Sequence, residues 1–124
     1  DEFEQRTGIK CNLTVEDLPD SDQRFNLALY RIFQEAMTNI IRHAHAQNVR
    51  VSLTHKPEGI TMIIEDDGVG IPPEKISDGK SLGLLGMRER ARQINGTVDF
   101  INHVGSGTKI LTFIPLQTTE PDIK

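Results

Sequence analysis

Ile60-Thr61-Met62-Ile63-Ile64-Glu65-Asp66-Asp67-Gly68-Val69-Gly70 is the stretch on which the reading of the fold turns. Its first part, Ile60 to Glu65, is apolar and β-branched and reads as a buried strand. Its second part sets D-x-G-x-G directly at the strand's end. Glycine has no side chain to obstruct something approaching the backbone, so a strand that runs into such a loop is a candidate binding edge. An ordinary Asp-Gly turn uses the same residues, and alone the motif does not choose between the two.

Upstream, Lys56-Pro57-Glu58-Gly59 is a hairpin turn, and Val49 to Thr54 alternates as the strand before it. Before that strand the pattern changes to a helical one, from about Gln23 to Ala44. Leu29, Ile32, Phe33, Ala36, Ile40 and Ala44 recur at helical spacing and are its expected buried stripe. Leu18-Pro19-Asp20-Ser21-Asp22 supplies a turn with capping residues, and Gly8 to Val15 alternates as a first strand. Downstream, Asp66 to Leu82 is rich in Gly, Pro, Asp, Ser and Lys and reads as a long loop, a length that in a compact domain usually serves function. Leu84 to Ile94 fits a second helix, closed near Asn95-Gly96, with Gly96 expected to take positive φ. Thr97 to Ile101 and Lys109 to Pro115 are two strands around the Gly105-Ser106-Gly107 turn. The order strand, helix, hairpin, loop, helix, hairpin predicts a two-layer α/β sandwich, a mixed sheet with helices on one face.

The chain has 124 residues, 36% of them hydrophobic, which suits one domain with a real core. Residues 1–19 form an N-terminal segment and first strand, 20–116 the core, and 117–124 a polar tail expected to be frayed. The net charge of -4 advertises neither a nucleic-acid nor an acidic-lipid partner, and the basic residues cluster only around Met87-Arg88-Glu89-Arg90-Ala91-Arg92. Cys11 is the single cysteine, which excludes disulfides and thiolate metal sites and fits a reducing, cytoplasmic setting. No apolar run approaches the roughly 18–20 residues of a membrane span. The chain begins at Asp1 without an initiator methionine, as expected of a piece of a longer protein.

The candidate chemistry lies in a few places. On the first long helix Glu35, Asn39 and His43 fall at i, i+4 and i+8 and stack along one face, with Arg42 beside them. Such a polar line also suits a solvated surface. Asp66 can accept a hydrogen bond from an exocyclic amine such as that of adenine. Ser81-Leu82-Gly83-Leu84-Leu85-Gly86-Met87 leads into the second helix, where free N–H groups and the positive dipole end favour phosphate; a plain helix start looks similar. Gly105-Ser106-Gly107-Thr108 is a hairpin turn that sets the Thr108 hydroxyl just inside a strand, where it could face a pocket.

Taken in order, these motifs resemble the GHKL ATPases. Glu35-Ala36-Met37-Thr38-Asn39-Ile40-Ile41-Arg42-His43-Ala44 is similar to their N box, and Asp66-Asp67-Gly68-Val69-Gly70 to their first glycine box. Gly83-Leu84-Leu85-Gly86-Met87-Arg88-Glu89-Arg90-Ala91 resembles the second, in the form typical of nitrate-sensor-type histidine kinases. The resemblance covers roughly Asp20 to Leu116, and order and spacing make it more specific than any one glycine pair. It implies a Bergerat fold and ATP with Mg²⁺. Asn39 would ligate Mg²⁺, as suits a hard oxygen donor, and Glu35 would sit near the metal and the γ-phosphate. Arg42 would meet the phosphates and His43 the ribose or α-phosphate. Asp66 would read the adenine amine, with Gly68 and Gly70 letting the backbone approach the base. Gly83, Leu84 and Gly86 would cover the phosphates, and Thr108 would close the adenine end. Ser81 stands where many sensor kinases carry the first glycine of G-x-G-L, and Gly79 and Gly83 remain nearby. The lid from about Ile71 to Leu82 is short, as in the nitrate-sensor-type subgroup, and no phenylalanine box is evident.

The resemblance implies transfer of the γ-phosphoryl of ATP to a histidine on a separate dimerisation and phosphoacceptor helical domain of the same parent, with a response regulator as indirect partner. No histidine precedes Asp20, so the acceptor is not among these residues. His45, His55 and His103 read as surface or structural residues. The isolated domain is expected to be monomeric, because dimerisation would belong to the helical domain, and to make no direct membrane contact even where the parent is membrane-anchored. Another GHKL enzyme, such as an anti-sigma serine kinase, or a non-catalytic nucleotide-sensing module are the competing readings.

Overall fold

Alternation of apolar residues along the strands decides which side of the sheet is covered. Val49 and Val51, then Ile60, Met62 and Ile64, then Ile110 and Ile114, and Val98 are all buried, while their sequence neighbours, Gly59 apart, are not. Side chains two apart share a face, so these residues make one continuous apolar surface. A computed structural model describes residues 2–16, 23–70, 83–103 and 107–115 of the chain. In it the strands are β1 (Lys10–Val15), β2 (Asn48–Lys56), β3 (Gly59–Asp66), β4 (Thr97–His103) and β5 (Gly107–Pro115). They form a five-stranded sheet in the order β1-β2-β3-β5-β4. β1 pairs with β2 in parallel and every other pairing is antiparallel, so the sheet is mixed as expected.

The apolar face is covered by helices α2 (Gln23–Asn39) and α3 (Leu84–Arg92), which pack on each other. Ile32, Ala36 and Ile40 come from the first, Leu84, Met87 and Ala91 from the second, and with the strands they form one core. Each fully buried aliphatic side chain of this kind contributes about 1.5–3 kcal/mol. The expected stripe of α2 is buried at Leu29, Ile32, Ala36 and Ile40 and half-buried at Phe33. Met37, outside that stripe, is buried as well, because a helix lying between a sheet and a second helix is covered over a wider arc. Opposite the helices the sheet carries polar side chains, among them a chain of ion pairs from Arg50 to Glu65 (3.5 Å) and from Glu65 to Lys109 (4.0 Å).

Several details depart from the sequence reading. A short helix α1 (Glu2–Thr7) precedes β1; it is too short and polar for periodicity to reveal. Gly8 belongs to its end, at φ 77 with its N–H on the Glu4 carbonyl, so β1 starts at Lys10 rather than Gly8. The long helix is α-helical only to Asn39, and Ile40–Ala44 is a π-helical turn ended by His45 at φ 54. At the end of α3 the positive φ falls on Asn95 (φ 63), not on Gly96. The N–H of Asn95 bonds the Arg92 carbonyl (3.0 Å) and that of Gly96 the Ala91 carbonyl (2.7 Å), a Schellman closure with Asn in the left-handed position. Gly96 is needed for room instead: a Cβ there would lie 2.5 Å from Ile114 Cδ1 and 2.6 Å from the Phe113 carbonyl. The capping turn at Leu18 to Asp22, the loop from Ile71 to Leu82 with Gly79 and Ser81, Gly105-Ser106, and the tail from Gln117 lie outside the described residues.

Candidate functional site

Asp66 ends β3 on the same face as Ile60, Met62 and Ile64, so alternation carries its carboxylate to the helix side of the sheet. There Oδ1 accepts the Gly68 N–H at 2.8 Å, and the backbone N–H of Thr108 also donates to the carboxylate. The group is half-buried, and this burial raises its pKa; the two N–H donors pull it back down in part, and the neighbouring Asp67 charge raises it. The result is a carboxylate held in one orientation with lone pairs to spare, suited to accept from an amine. Thr108, 5% exposed, stands beside it, and its hydroxyl donates to Asn102 Oδ1 (3.3 Å). Gly107 makes this neighbourhood possible: at φ 108 it lies so close to the Asp66 backbone that a Cβ would collide with the Asp66 carbonyl. Gly68 is buried and Gly70 sits at φ 87, so the loop turns sharply away from the strand end.

On α2, Glu35 and Asn39 are half-buried, and Arg42, in the π turn that follows, is exposed. The sequence reading put His43 one α-turn beyond Asn39. The backbone contradicts that geometry, because His43 lies in the π turn, whose i→i+5 bonding widens the spiral. The side chain of His43 is outside the described residues. Single π turns inside helices occur frequently at functional sites.

The second glycine motif enters α3 through Gly83, at φ 68 and with no side chain capping the helix start. The Glu35 carboxylate lies directly against Gly83. The N box and the second glycine motif therefore meet in space although nearly fifty positions separate them. Leu84 is wholly buried in the core, so only its backbone can face a ligand. Gly86 is different: it is exposed, and a Cβ there would meet nothing within 4 Å. Glycine in a helix costs about 0.5–1 kcal/mol against alanine, and among the described residues no contact requires it here. A helix N-terminus suits a phosphate, and a glycine there leaves its approach open.

Asp67, which the sequence reading passed over, is the best-anchored side chain of the region. Its Oδ1 accepts the N–H groups of Gln47 (2.8 Å) and Asn48 (2.9 Å), and its Oδ2 accepts the Asn48 side-chain amide (2.9 Å). Its own N–H donates to the Asn48 carbonyl (3.2 Å). These bonds, the side-chain bond to Asn48 first, hold its carboxyl below the usual range. The doubled Asp66-Asp67 was the available signal: at a strand end, consecutive residues face opposite sides. A polar cavity of about 320 Å³ lies by this clasp, lined by Asn12, Arg50, Glu65 and Asp67 among others. Its charged groups are largely committed to one another, and it is separate from the Glu35–Gly83 contact. Among the described residues no three His, Cys, Asp or Glu side chains could hold a metal together. A Mg²⁺ that arrives with a triphosphate and takes one or two protein ligands needs no such cluster, and the Asn39 and Glu35 side chains are of the right oxygen-bearing type.

Residues 26–118 match the family described as histidine kinase-, DNA gyrase B-, and HSP90-like ATPase, and the chain belongs to that family. The curated proteins it is similar to include sensor histidine kinases. The oxygen sensor histidine kinase NreB of Staphylococcus carnosus (strain TM300) is 34% identical over 116 residues, 93% of this chain and 33% of that protein. The signal transduction histidine-protein kinase/phosphatase DegS of Bacillus subtilis (strain 168) is 35% identical over 101 residues, 77% of this chain and 26% of that protein. The chain thus spans a third or less of the length of these relatives. The histidine kinase domain of the Erythrobacter litoralis EL346 blue-light activated histidine kinase superposes with a TM-score of 0.80 at 24% identity, over 93% of this chain and 58% of that one. The Acinetobacter baumannii histidine kinase AdeS does so with a TM-score of 0.77 at 21% identity, over 94% and 59%. Both show the same α/β sandwich. Among the described residues no helix is long and apolar enough to cross a membrane.

Proposed function

We propose that this domain binds ATP between α2, α3 and the Asp66 edge of the sheet and donates its γ-phosphoryl to a histidine on a separate helical dimerisation and phosphoacceptor domain of the same parent protein. The observation that carries the reading is Asp66: a half-buried carboxylate at the helix-side end of β3, oriented by two backbone N–H groups. Asp66 accepts the adenine amine, and Gly68, Gly70 and Thr108 shape the wall around the base. The Leu84 backbone and Gly86 face the phosphates, with Arg42 and His43 from the other side. The Asn39 side-chain oxygen holds Mg²⁺, and Glu35 orients the group that meets the γ-phosphate. When bound, Mg²⁺ neutralises charge on the phosphoryl oxygens. Phosphoryl transfer has a loose transition state, so the work of the protein is mostly positioning and charge neutralisation. The domain acts in the cytoplasm as a monomer when isolated, and a response regulator receives the phosphoryl group from the acceptor histidine.

Titration of the 124-residue chain with ATP by calorimetry, with and without Mg²⁺ and again with Asp66→Asn, tests this. Saturable binding in the wild type and its loss in the variant are expected. Equal weakening of ATP and of a non-adenine triphosphate by Asp66→Asn would remove the adenine assignment. An absence of heat and of thermal stabilisation at millimolar ATP would remove the nucleotide site altogether.

A further inference from the structure

Where the second glycine motif enters its helix it touches the N box through Gly83, and the neighbour there is a side chain of the protein itself. Gly83 stands at the start of α3 with φ 68. A Cβ built on it would overlap the Glu35 Oε2 atom and lie 2.5 Å from Glu35 Cδ and 2.8 Å from Cγ. We infer that Gly83 is a positioning residue for Glu35: the missing side chain is the seat in which the Glu35 carboxylate rests, so the start of α3 sets where that carboxylate stands. The inference rests on the reading that Glu35 acts at the γ-phosphate, and it adds a coupling between the two motifs that neither shows alone.

The identity of the obstructing atoms decides where a substitution is felt. Backbone cannot retreat from a new methyl group, but the far end of a glutamate side chain swings aside at little cost to the fold. An added Cβ therefore moves the carboxylate rather than the helix. The expected damage is to the chemical step, since a misplacement of about 1 Å in a catalytic group can cost on the order of a hundredfold in rate. Were Gly83 needed to let phosphate approach, ATP affinity would fall instead. Were it needed only for its left-handed backbone, the loss would track the strain of φ 68 and would be relieved by asparagine, which tolerates that region.

The experiment uses Gly83→Ala, Gly83→Asn and Glu35→Asp, singly and combined, in the full 124-residue chain. First, backbone amide resonances of Gly83 and Leu84 are compared without nucleotide between the wild type and Glu35→Asp. Withdrawing the carboxylate by one methylene should shift both resonances, because the carboxylate rests against Gly83. Second, Mg-ATP affinity is measured by calorimetry and turnover as release of inorganic phosphate. Gly83→Ala and Gly83→Asn should both lower kcat by about tenfold or more, with ATP affinity within about threefold of wild type. Glu35→Asp withdraws the carboxylate by one methylene, so in that background the same substitutions should cost less than about threefold. A factor that is the same in both backgrounds, a loss confined to ATP affinity, or full activity in Gly83→Asn would overturn the assignment, as would amides blind to Glu35. The resonance comparison needs no ATP, so it judges the contact even if the wild type fails to bind nucleotide, a result that would count against the functional reading alone.

Discussion

Burial and hydrogen bonding pull the Asp66 carboxylate in opposite directions, and burial is the larger effect, so its folded pKa lies above the unfolded one. For a raised pKa the contribution to stability is full below the unfolded value and is lost as pH rises through the folded value. At neutral pH the ionised side chain is therefore a burden on the free domain, kept for what it binds. Asp66→Asn should melt at or above the wild-type temperature at pH 7 without nucleotide, with the difference shrinking as the pH approaches 4, and should lose the stabilisation that ATP confers. Thermal melts at the two pH values, with and without ATP, check this; a clearly lower melting temperature at pH 7 would show that the N–H contacts, not the charge, dominate. Gly86 makes a parallel case. Gly86→Ala should stabilise the free domain by about 0.5–1 kcal/mol, because alanine suits a helix and meets no neighbour. The same change should weaken ATP, and urea melts beside calorimetry would separate the two effects.

At the scale of elements, ends and junctions carry more of the site than the elements' interiors do. The Asp67 clasp ties the start of β2, and through it the turn that follows the N box, to the end of β3. Its depressed pKa means that its contribution is present above the unfolded pKa and is lost as pH falls through the folded one. Asp67→Ala should lower the melting temperature by a few degrees at pH 7, and the gap should close in strong acid; a gap independent of pH would mean that the charge is irrelevant. The end of α3 gives a simpler test. Asn95 occupies the left-handed position of the Schellman closure, so Asn95→Gly should leave stability level or slightly higher, while Asn95→Ala should cost about 1 kcal/mol in denaturant melts.

For the molecule as a whole, one apolar sheet face closed by two helices forms a single core, and among the described residues one buried side-chain polar atom sits inside it without a partner. Thr112 is fully buried and its hydroxyl has no hydrogen-bond partner. Leaving such a group unsatisfied costs about 1–3 kcal/mol, so Thr112→Val, of similar shape, should raise stability by about 1 kcal/mol. No change, or a loss, in urea denaturation would show that the hydroxyl is satisfied in solution. Much of this architecture was readable beforehand. The period-2 runs of β2, β3 and β5 and the 3.6-residue stripe of α2 are strong, repeated signals, and they named the layers and the buried stripe of α2. Helix α1 was not readable, because six residues with a single apolar one among them hold too few periods. Nor was the π turn at Ile40–Ala44, since the residues of an α-helix and of its widened last turn look the same in one dimension.

The sequence by itself determined the class of the protein: the two periodicities name an α/β sandwich, and Glu35, Asn39, Asp66 and the paired glycines appear in the order and spacing of an ATPase family. Chemical type and spacing are one-dimensional properties, and a single chain displays them. The tertiary structure decided which of these residues touch. That the Glu35 carboxylate rests on Gly83, that Gly107 lets β5 lie against Asp66, and that Asp67 rather than Asp66 clasps Gln47 and Asn48 all depend on contacts between residues far apart in the chain. Such contacts follow from how helices settle on a sheet and how strands take register, and both are settled only when the core packs as a whole.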